Sequence, residues 1–281
     1  MSAAHPILRC RGQSLDLTVP QVMGVLNVTP DSFSDGGRYG SLEAAVAHGV
    51  CLAGEGAAII DVGGESTRPG AQPVSVDEEL ARVVPVIERL RRATDAIVSV
   101  DTSKPEVMRA AAQAGAGLIN DVRALRAPGA LAAARDSDCA VCLMHMQGEP
   151  LTMQQAPAYQ DVVAEVGAFL AARVAAVGAA GVAADQILLD PGFGFGKNLE
   201  HNLTLLRHLR EITSMGPPVL VGLSRKSLIG TLTGRTGSER VHGSLALAVL
   251  AVAAGARIVR SHDVAATVDA LKVTAAVIGG G

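Results

Sequence analysis

Several apolar segments of the chain end in a carboxylate or amide residue. Asn27, Asp101, Asn120 and Asp190 each close a run rich in Val, Ile and Leu. A carboxylate accepts two parallel hydrogen bonds from the donor edge of a heterocycle, and an amide can both accept and donate. Because a buried polar group without a partner costs several kcal/mol, we expect these residues to face a bound ligand. An internal polar network is the alternative for Asp101, Asn120 and Asp190.

Two basic motifs lie near the end of the chain. Arg260 and His262 are two residues apart, so a strand would point both side chains the same way, an arrangement suited to an anion such as phosphate. The alternative for Arg260 is an ion pair with Asp263. Lys226 is either a ligand contact or a surface lysine, and its position directly after a predicted strand favours the ligand contact.

The segment after Asn27 has the composition of a mobile loop. Residues 30–37 contain Pro, Ser, Asp and Gly around a single Phe33, and such a loop can close over a reaction. Asn27 offers an amide oxygen to a hard cation such as Mg²⁺, which binds mainly through substrate phosphates. An Asx turn before Pro30 is the alternative. Asp35 either faces the cation or a developing positive charge, or is an ordinary solvated loop residue.

The glycine-rich segment 192–197 does not match a nucleotide-binding loop. Pro191 stands where the first Gly of a Walker motif would be, and Asn198 follows Lys197 in place of Ser or Thr. The spacing is G-x-G-x-G, which also differs from the dinucleotide pattern G-x-G-x-x-G. We interpret the glycines as room for the backbone beside a substrate, with Phe195 as an apolar wall.

These residues are distributed along alternating short strands and longer helices. Runs rich in β-branched residues predict eight strands, and stretches of Ala, Leu, Glu and Arg with helical periodicity follow them. The strands are predicted at residues 22–28, 58–62, 97–101, 118–122, 140–145, 187–190, 219–223 and 257–262. Eight such units predict an α/β fold of the (β/α)₈ TIM barrel type, in which the carboxyl ends of the strands carry the chemistry. A doubly wound open sheet is the alternative.

The helices and the start of the chain complete the predicted architecture. The predicted helices include residues 42–54, 77–92, 105–114, 158–180, 199–211 and 264–277. Residues 7–10 and 15–19 flank the polar sequence Arg-Gly-Gln-Ser and predict a hairpin that closes the bottom of the barrel. The predicted domain organisation is a hairpin extension over residues 1–20 and one barrel domain over residues 21–278.

Composition and charge argue against several classes of partner. The chain of 281 residues has a net charge of −3 and scattered basic residues, which predicts no nucleic-acid binding. Residues 1–20 lack the apolar block of a signal peptide, and the longest uninterrupted apolar stretch, 245–256, is too short to span a bilayer. We therefore expect a cytoplasmic protein with small-molecule partners and no membrane association.

Cys139 and Cys142 have the C-x-x-C spacing of some metal and redox sites. Their surroundings are apolar and read as a buried strand, in which positions three apart face opposite sides. The sequence also offers no second pair and no His pattern of the kind that binds zinc. We therefore expect structural cysteines in the core.

The helix predicted over residues 243–256 is apolar on all sides. A helix of this kind must be buried on more than one face, because a solvated surface would leave apolar side chains in water. One copy of the barrel can cover only part of such a helix. We therefore expect a homodimer that forms across it.

Five motifs carry a resemblance to a known enzyme family. They are residues 24–37 (GVLNVTPDSFSDGG), 63–70 (GGESTRPG), 190–197 (DPGFGFGK), 224–227 (SRKS) and 260–263 (RSHD). Together they resemble the signatures of the dihydropteroate synthases, which are pterin-binding enzymes, and the resemblance covers about residues 21–278. Ser261 departs from the aliphatic residue expected at its position and leaves its functional neighbours in place.

The resemblance implies an Mg²⁺-dependent transferase of folate biosynthesis. It would join 6-hydroxymethyl-7,8-dihydropterin diphosphate to p-aminobenzoate and release pyrophosphate. A pterin-binding methyltransferase is one alternative, although it would not need the loop over residues 31–37 or the anion-binding pair. A catalytically silent pterin-binding barrel is the other alternative.

The resemblance also suggests a role for individual side chains. The expected pterin-binding residues are Asp101, Asn120, Met144, Asp190, Lys226 and Arg260. The candidates for holding p-aminobenzoate are Phe33, Thr67, Arg68, Pro69, Phe195 and Ser224. The expected pyrophosphate-binding residues are Asn27, Thr67, Arg260 and His262, with Asn27 as the metal ligand. The expected catalytic residues are Asp35, Lys226, Arg260 and His262.

Overall fold

The computed structural model describes residues 7–28, 37–66, 72–149 and 151–279. A short antiparallel hairpin consists of β1 (Ile7–Cys10) and β2 (Gln13–Asp16). A parallel sheet of eight strands follows. Its strands are β3 (Gln21–Asn27), β4 (Ile59–Gly63), β5 (Ile97–Asp101), β6 (Leu118–Asp121), β7 (Ala140–Met144), β8 (Ile187–Asp190), β9 (Leu220–Val221) and β10 (Ile258–Ser261).

The eight parallel strands form a barrel. Strands β3 to β8 are neighbours in chain order, and β10 lies between β9 and β3. A parallel bridge between Leu189 and Val219 closes the ring, and the Leu189 N–H donates to Pro218 O at 3.0 Å. The predicted (β/α)₈ TIM barrel is therefore confirmed, and the doubly wound open sheet is wrong.

Helices alternate with the strands and surround them. They are α1 (Gly37–Gly54), α2 (Val76–Ala93), α3 (Pro105–Ala114), α4 (Ala130–Ser137), α5 (Val162–Ala179), α6 (Leu199–Arg207), α7 (Leu209–Thr213), α8 (Ser227–Thr233), α9 (Val241–Ala253) and α10 (Val264–Ile278). The helix predicted over residues 158–180 begins later than expected, because Asp161 caps it and accepts from the N–H groups of Val163 and Ala164. The helix predicted over residues 199–211 is two helices, since His208 departs from helical geometry.

The hairpin turn is tighter than the sequence analysis predicts. Arg11 and Gly12 both have positive φ, 39° and 76°, as a two-residue type I′ turn requires. Cys10 therefore pairs directly with Gln13. The second strand ends at Asp16 as a result, and the strand predicted over residues 15–19 is displaced.

The amino-terminal half of the barrel interior is an apolar core that the hairpin closes. Leu8, Cys10 and Leu17 pack against side chains from the barrel strands. Those side chains are Met23, Ile59, Ile97, Leu118, Ala140, Cys142, Leu188, Leu220 and Ile258. Because this end is sealed, a ligand can enter the barrel only from the carboxyl ends of the strands.

A second apolar layer lies between the sheet and the surrounding helices. Cys139 belongs to this layer, whereas Cys142 faces the barrel interior. Both are buried and free, and so is Cys10, while Cys51 is exposed. The predicted structural role of both cysteines is therefore confirmed, although only Cys142 lies on β7 and Cys139 directly precedes that strand.

Helix α5 is long and apolar enough, by length and composition alone, to cross a membrane. Core helices of soluble proteins meet the same criterion. Its residues Val163, Val166 and Leu170 are buried in the outer apolar layer, and the helix contacts β7, α6 and α7. In this structure α5 therefore occupies the position of an outer helix of the barrel.

Candidate active site

The inward-facing positions of the strands change from apolar to charged along the barrel axis. On β4, Ile59 faces the closed core and Asp61 follows on the same side. On β10, Ile258 faces that core and Arg260 follows. Since alternate residues of a strand point to the same side, the charged groups lie directly above the apolar core. The carboxyl-terminal half of the interior is therefore a polar chamber.

Arg260 lies at the centre of a hydrogen-bonded network in this chamber. Its Nε donates to Asp61 Oδ2 at 2.6 Å, and its Nη2 donates to Asp101 Oδ2 at 3.0 Å. Asp61 also accepts from Ser99 Oγ at 2.6 Å and from Asn120 Nδ2 at 3.1 Å. Asp101 and Asn120 are therefore both linked to Arg260 through this network, Asp101 directly and Asn120 through Asp61.

Burial changes the protonation of this network. Burial and the neighbouring charge of Asp61 raise the pKa of Asp101 to about 7, although Arg260 opposes the shift. For Arg260, burial acts to lower the pKa, but the charges of Asp61 and Asp101 outweigh it and raise the pKa above its usual range. Arg260 therefore stays charged at every physiological pH. Asp101 is a group that can change protonation near neutrality.

Asp190 and Lys226 bring opposite charges to another part of the chamber. The Gly192 N–H donates to Asp190 Oδ1 at 2.7 Å, which fixes the carboxylate. Burial raises the pKa of Asp190, against the effects of that N–H and of Lys226. Burial lowers the pKa of Lys226 to about 8, and Asp190 opposes this shift. Lys226 is partly buried, and its Nζ lies 4.2 Å from the centroid of the Phe195 ring.

An apolar wall stands beside these charges. Met144, at the end of β7, is buried with Val122, Met146 and Met153, and Phe195 packs against them. Methionine side chains adapt to planar surfaces and make favourable contacts with rings. The chamber therefore combines hydrogen-bonding groups with one flexible apolar side, which suits a flat polar heterocycle.

The loop after β8 approaches its neighbour so closely that glycine is required. Gly192 has φ +68°, and a Cβ built on it would lie 1.9 Å from the carbonyl oxygen of His145. A Cβ on Gly196 would lie 2.3 Å from the carbonyl oxygen of Gln147. Glycine supplies both the positive φ and the missing side chain. These glycines therefore make room for the backbone of the loop after β7, whereas room beside a substrate stays a prediction.

The buried side chain of Lys197 stabilises this loop through hydrogen bonds. Its ammonium donates to the carbonyls of Gly192 and Phe195 at 2.9 and 3.1 Å and contacts His145 Nδ1 at 2.9 Å. Burial lowers the pKa of Lys197 to about 7, and Asp190 opposes the shift. Burial and the charge of Lys197 lower the pKa of His145 to about 3. The segment that carries Phe195 is therefore rigidly held.

The loops after β9 and β10 are tied to each other at the chamber rim. Ser224 Oγ accepts from the His262 N–H at 3.2 Å and lies 3.1 Å from His262 Nδ1. Asp263 forms an ion pair with Arg225, whose Nε lies 3.0 Å from its carboxylate. The alternative that paired Asp263 with Arg260 is therefore wrong. Arg260 points into the barrel interior and pairs there with Asp61, whereas Asp263 pairs with Arg225.

The loop after β4 begins at a partly buried ion cluster. Lys104 donates to both Glu65 and Glu79. Glu79 is almost completely buried, and its Oε1 has no hydrogen-bond partner within the part of the chain that the structure describes. The cluster fixes the first residues of the loop. The candidates Phe33, Asp35, Thr67, Arg68 and Pro69 lie outside the described residues.

The residues present fit a magnesium ion held mainly by a substrate. Asn27 ends β3 and pairs with Gly63 of β4, so its amide lies at the carboxyl ends of the barrel strands. Within the described ranges, no group of three or more His, Cys, Asp or Glu side chains is arranged to hold a metal. Mg²⁺ commonly takes one or two protein oxygens together with water and substrate phosphates. One amide oxygen is compatible with that mode of binding.

The structure adds residues to which the sequence analysis gave no role. Asp61 lies inside β4 and accepts hydrogen bonds from Ser99, Asn120 and Arg260, a role that no sequence motif assigns to it. The signal was present, because Asp61 has the same parity along β4 as the inward Ile59. Lys197 carried no such signal, since its partners are mostly backbone carbonyls.

The class of protein follows from this chamber. A TIM barrel that is sealed at one end, and that gathers Asp, Asn, Lys and a Met wall at the other, is built to bind a flat heterocycle with polar edges. A family model described as pterin binding enzyme matches residues 23–262. The chain belongs to this family.

Comparison with individual proteins narrows the activity. The chain is 56% identical over 271 residues to the dihydropteroate synthase of Escherichia coli (strain K12), covering 96% of each protein. It is similar to the structure of Xanthomonas albilineans dihydropteroate synthase with 4-aminobenzoic acid, with a TM-score of 0.93, 58% identity and coverage of 98% and 99%. The same enzyme in complex with 7,8-dihydropteroate gives a TM-score of 0.88, 55% identity and coverage of 97% and 99%. The activity is that of a dihydropteroate synthase, a transferase of folate biosynthesis, and the resemblance based on the five motifs is confirmed.

Proposed function

We propose that the enzyme joins 6-hydroxymethyl-7,8-dihydropterin diphosphate to p-aminobenzoate, forming 7,8-dihydropteroate and pyrophosphate. One observation supports this proposal above the others. Asp101, Asp190, Lys226 and Arg260 interact electrostatically around a single chamber, above a core that no ligand can enter. The presence of 4-aminobenzoic acid and 7,8-dihydropteroate in structures of a similar enzyme supports the same substrates.

The pterin ring would lie in the chamber with its polar edges toward charged groups. Asp190 and Asn120 would contact its aminopyrimidinone edge, because a carboxylate accepts from two donors and an amide serves both kinds of atom. Lys226 would donate to the ring carbonyl, and Met144 would cover one face. Asp101, the remaining carboxylate, would accept from a ring N–H. A complete set of partners offsets the cost of burying such polar groups.

The leaving diphosphate would lie at the rim of the chamber. Arg260 and His262 would stabilise its developing charge, and Asn27 would hold a bound Mg²⁺ that neutralises the phosphates. Arg260 can do so because Asp61 and Asp101 hold its guanidinium in place before the reaction. Asp35 would face the positive charge that develops on the pterin side.

The reaction would proceed by displacement without a covalent enzyme intermediate. The bond between the exocyclic methylene carbon and the diphosphate oxygen breaks, and the amine lone pair forms the new C–N bond. The amine then loses a proton to solvent. An aniline is uncharged at neutral pH, so the enzyme contributes mainly positioning and electrostatic stabilisation. Phe33, Thr67, Arg68, Pro69, Phe195 and Ser224 are the proposed p-aminobenzoate contacts.

A coupled assay tests the proposed reaction. The enzyme is mixed with Mg²⁺ and the pterin diphosphate, with and without p-aminobenzoate, and both pyrophosphate and dihydropteroate are measured. We expect pyrophosphate release to require the amine and to match dihydropteroate one to one. Pyrophosphate released at the same rate without the amine would mean that the enzyme is a hydrolase, and the proposal would be rejected.

The apolar surface of α9 and α10 supports a homodimer. Leu250, Val273, Val277 and Ile278 are more than half exposed, although α9 and α10 pack against each other. Burying such a patch against a second copy would remove it from water. Sedimentation of the wild-type chain and of Leu250→Glu tests the dimer, and a wild-type monomer at micromolar concentration would reject it.

The remaining proposals concern organisation and location. Residues 21–278 would form one pterin-binding domain, and residues 1–20 an extension that carries the hairpin. The hairpin packing of Leu8 and Leu17 under the strands supports this division. A cytoplasmic location, without membrane or nucleic-acid partners, accords with the net charge of −3 and can be tested by cell fractionation.

A further inference from the structure

Arg225 has a strained backbone between two proposed substrate-binding residues. Its φ is +57°, in the left-handed region that residues with a side chain rarely adopt. Ser224 precedes it and Lys226 follows it. A strained conformation persists only where the surroundings enforce it. The contacts of Arg225 therefore indicate what this part of the structure is built to hold.

The side chain of Arg225 reaches across to the loop after β10. Its Nε and Nη2 donate to the two oxygens of Asp263 at 3.0 and 2.5 Å, in a forked ion pair. A planar guanidinium paired in this way fixes direction as well as distance, which a lysine cannot do. Asp263 directly follows His262 and is the residue before α10. The pair therefore joins the segment of Ser224 to the segment of His262.

The backbone of Arg225 is held from the opposite side by helix α9 and its preceding turn. Its N–H donates to Ser244 Oγ at 3.0 Å, and its carbonyl oxygen accepts from Arg240 Nη1 at 3.1 Å. Ser244 Oγ in turn donates to Arg240 O at 2.9 Å. The main chain at Arg225 therefore has a hydrogen bond at both of its polar groups, which stabilises the left-handed conformation.

The sheet itself provides little support at this place. Strand β9 comprises only Leu220–Val221, so its ladder with β10 ends several residues before Lys226. The Lys226 ammonium nonetheless contacts the Phe195 ring and interacts electrostatically with Asp190. Side-chain contacts must supply the alignment that the short strand cannot.

We propose that the Arg225–Asp263 ion pair is a positioning device that aligns Ser224 and Lys226 with Arg260 and His262. Two loops then move as one unit, so the pterin, the amine and the leaving diphosphate keep one relative geometry. The inference rests on the proposed function, because it concerns how the same site is assembled. Arg225 and Asp263 act through their neighbours and are not themselves catalytic residues.

Substitution of either partner tests the device. Arg225→Gly removes the fork while tolerating the positive φ, and Asp263→Asn removes the charge while keeping a residue suited to the start of α10. We expect kcat/KM to fall at least tenfold in both variants, since small misplacements of reacting groups have effects of this order. We also expect KM for p-aminobenzoate to rise. A partly unfolded preparation would lower kcat alone.

Chemical rescue separates positioning from general structural support. Millimolar methylguanidinium should restore part of the lost kcat/KM in Arg225→Gly, because the cation can bind Asp263 in place of the missing side chain. It should restore nothing in Asp263→Asn. Arg207→Ala, which breaks an exposed ion pair with Glu200, is the matched control and should behave as wild type.

The outcomes are distinguishable from failure of the proposed function. Wild-type enzyme that makes no dihydropteroate would reject the function itself. With an active wild type, unchanged kcat/KM in Asp263→Asn would overturn the positioning role. So would a loss in Arg225→Gly that methylguanidinium does not reverse. If Arg225→Gly does not fold, Asp263→Asn decides the matter through the KM for p-aminobenzoate, which must rise.

Discussion

The two halves of the barrel interior are built on the same strands with opposite kinds of side chain. At the amino-terminal end, Ile59 and Ile258 pack with Leu8 of the hairpin, and all three are completely buried. At the carboxyl-terminal end, the next inward positions of the same two strands carry Asp61 and Arg260. One strand therefore serves as a structural support over one half of its length and as a binding surface over the other.

The two ends contribute differently to the stability of the fold. Apolar burial contributes about 25 cal/mol per Å², so the closed end is a source of stability. A buried ion pair is often no better than apolar residues of similar volume, because both charges lose their hydration. The charged end is therefore retained for the ligand, and the closed end offsets its cost. Three predictions test this division.

The largest effect is expected for Asp61→Asn. The variant leaves Arg260 with one carboxylate partner and places an amide beside the amide donor of Asn120. Removing one partner of a buried ion pair costs about 3–5 kcal/mol. We expect a loss of this size in the free energy of urea unfolding, together with loss of dihydropteroate synthesis.

A double variant distinguishes the charge from the space it fills. In Asp61→Leu with Arg260→Met, the ion pair is replaced by apolar side chains of similar volume. Asp101 also loses Arg260, but its pKa of about 7 lets it take up a proton, so at pH 6 most of the lost stability should return. Activity should stay absent, because the anion site is gone. If the double variant unfolds as easily as Asp61→Asn, the charges stabilise the barrel and the division between the two ends is wrong.

Leu8→Ala should have the converse effect at the closed end. Leu8 is completely buried between the hairpin and the strands. Its truncation should lower the free energy of unfolding by about 3 kcal/mol through lost burial and a residual cavity. At a temperature where the variant remains folded, kcat and both KM values should match the wild type. A fall in kcat under those conditions would show that the closed end shapes the chamber.

The same comparison explains what could be predicted from sequence. The closed end follows from apolar periodicity, and Asp101, Asn120 and Asp190 were found because each ends an apolar run. Asp61 received no role because it lies inside its strand, where the pattern around it is uniformly buried. Only the alternation of inward and outward positions, combined with a known barrel, identifies it.

Other features depend on contacts that no local pattern encodes. Arg225 and Asp263 are 38 residues apart and meet only because β9 and β10 are neighbours. Arg11 adopts positive φ without being glycine, so the position of the hairpin turn was mispredicted. Lys197 looked like part of a glycine-rich loop, whereas its role depends on carbonyl groups that the folded loop turns toward it.

The smallest effect is a pH dependence of opposite sign at the two ends. At the open end, burial lowers the pKa of Lys226 from 10.5 to about 8. Between these two pH values the unfolded chain binds more protons at this group than the folded chain does. The free energy of unfolding therefore rises with pH over this range. At the closed end, burial raises the pKa of Cys10 from 9.0 to about 12, so the unfolded chain loses its proton first and the free energy of unfolding falls above pH 9.

Two variants separate these contributions. Unfolding is measured from pH 7 to pH 11 for the wild type, Lys226→Met and Cys10→Ala, and each variant is subtracted from the wild type at every pH. The difference for Lys226→Met should increase in favour of the wild type from about pH 8, and the difference for Cys10→Ala should decrease above pH 9. Each pKa unit corresponds to about 1.4 kcal/mol of unfolding free energy, and partial exposure of Lys226 reduces its contribution.

Pterin affinity should change with pH as well. Since a pterin would pair with the Lys226 ammonium, its affinity for the wild type should decline over the same pH range in which the free energy of unfolding rises. The signs of the two stability differences are opposite because burial disfavours the charged form of each group, the ammonium of Lys226 and the thiolate of Cys10. Differences of the same sign would mean that one of these groups is not buried in the folded protein.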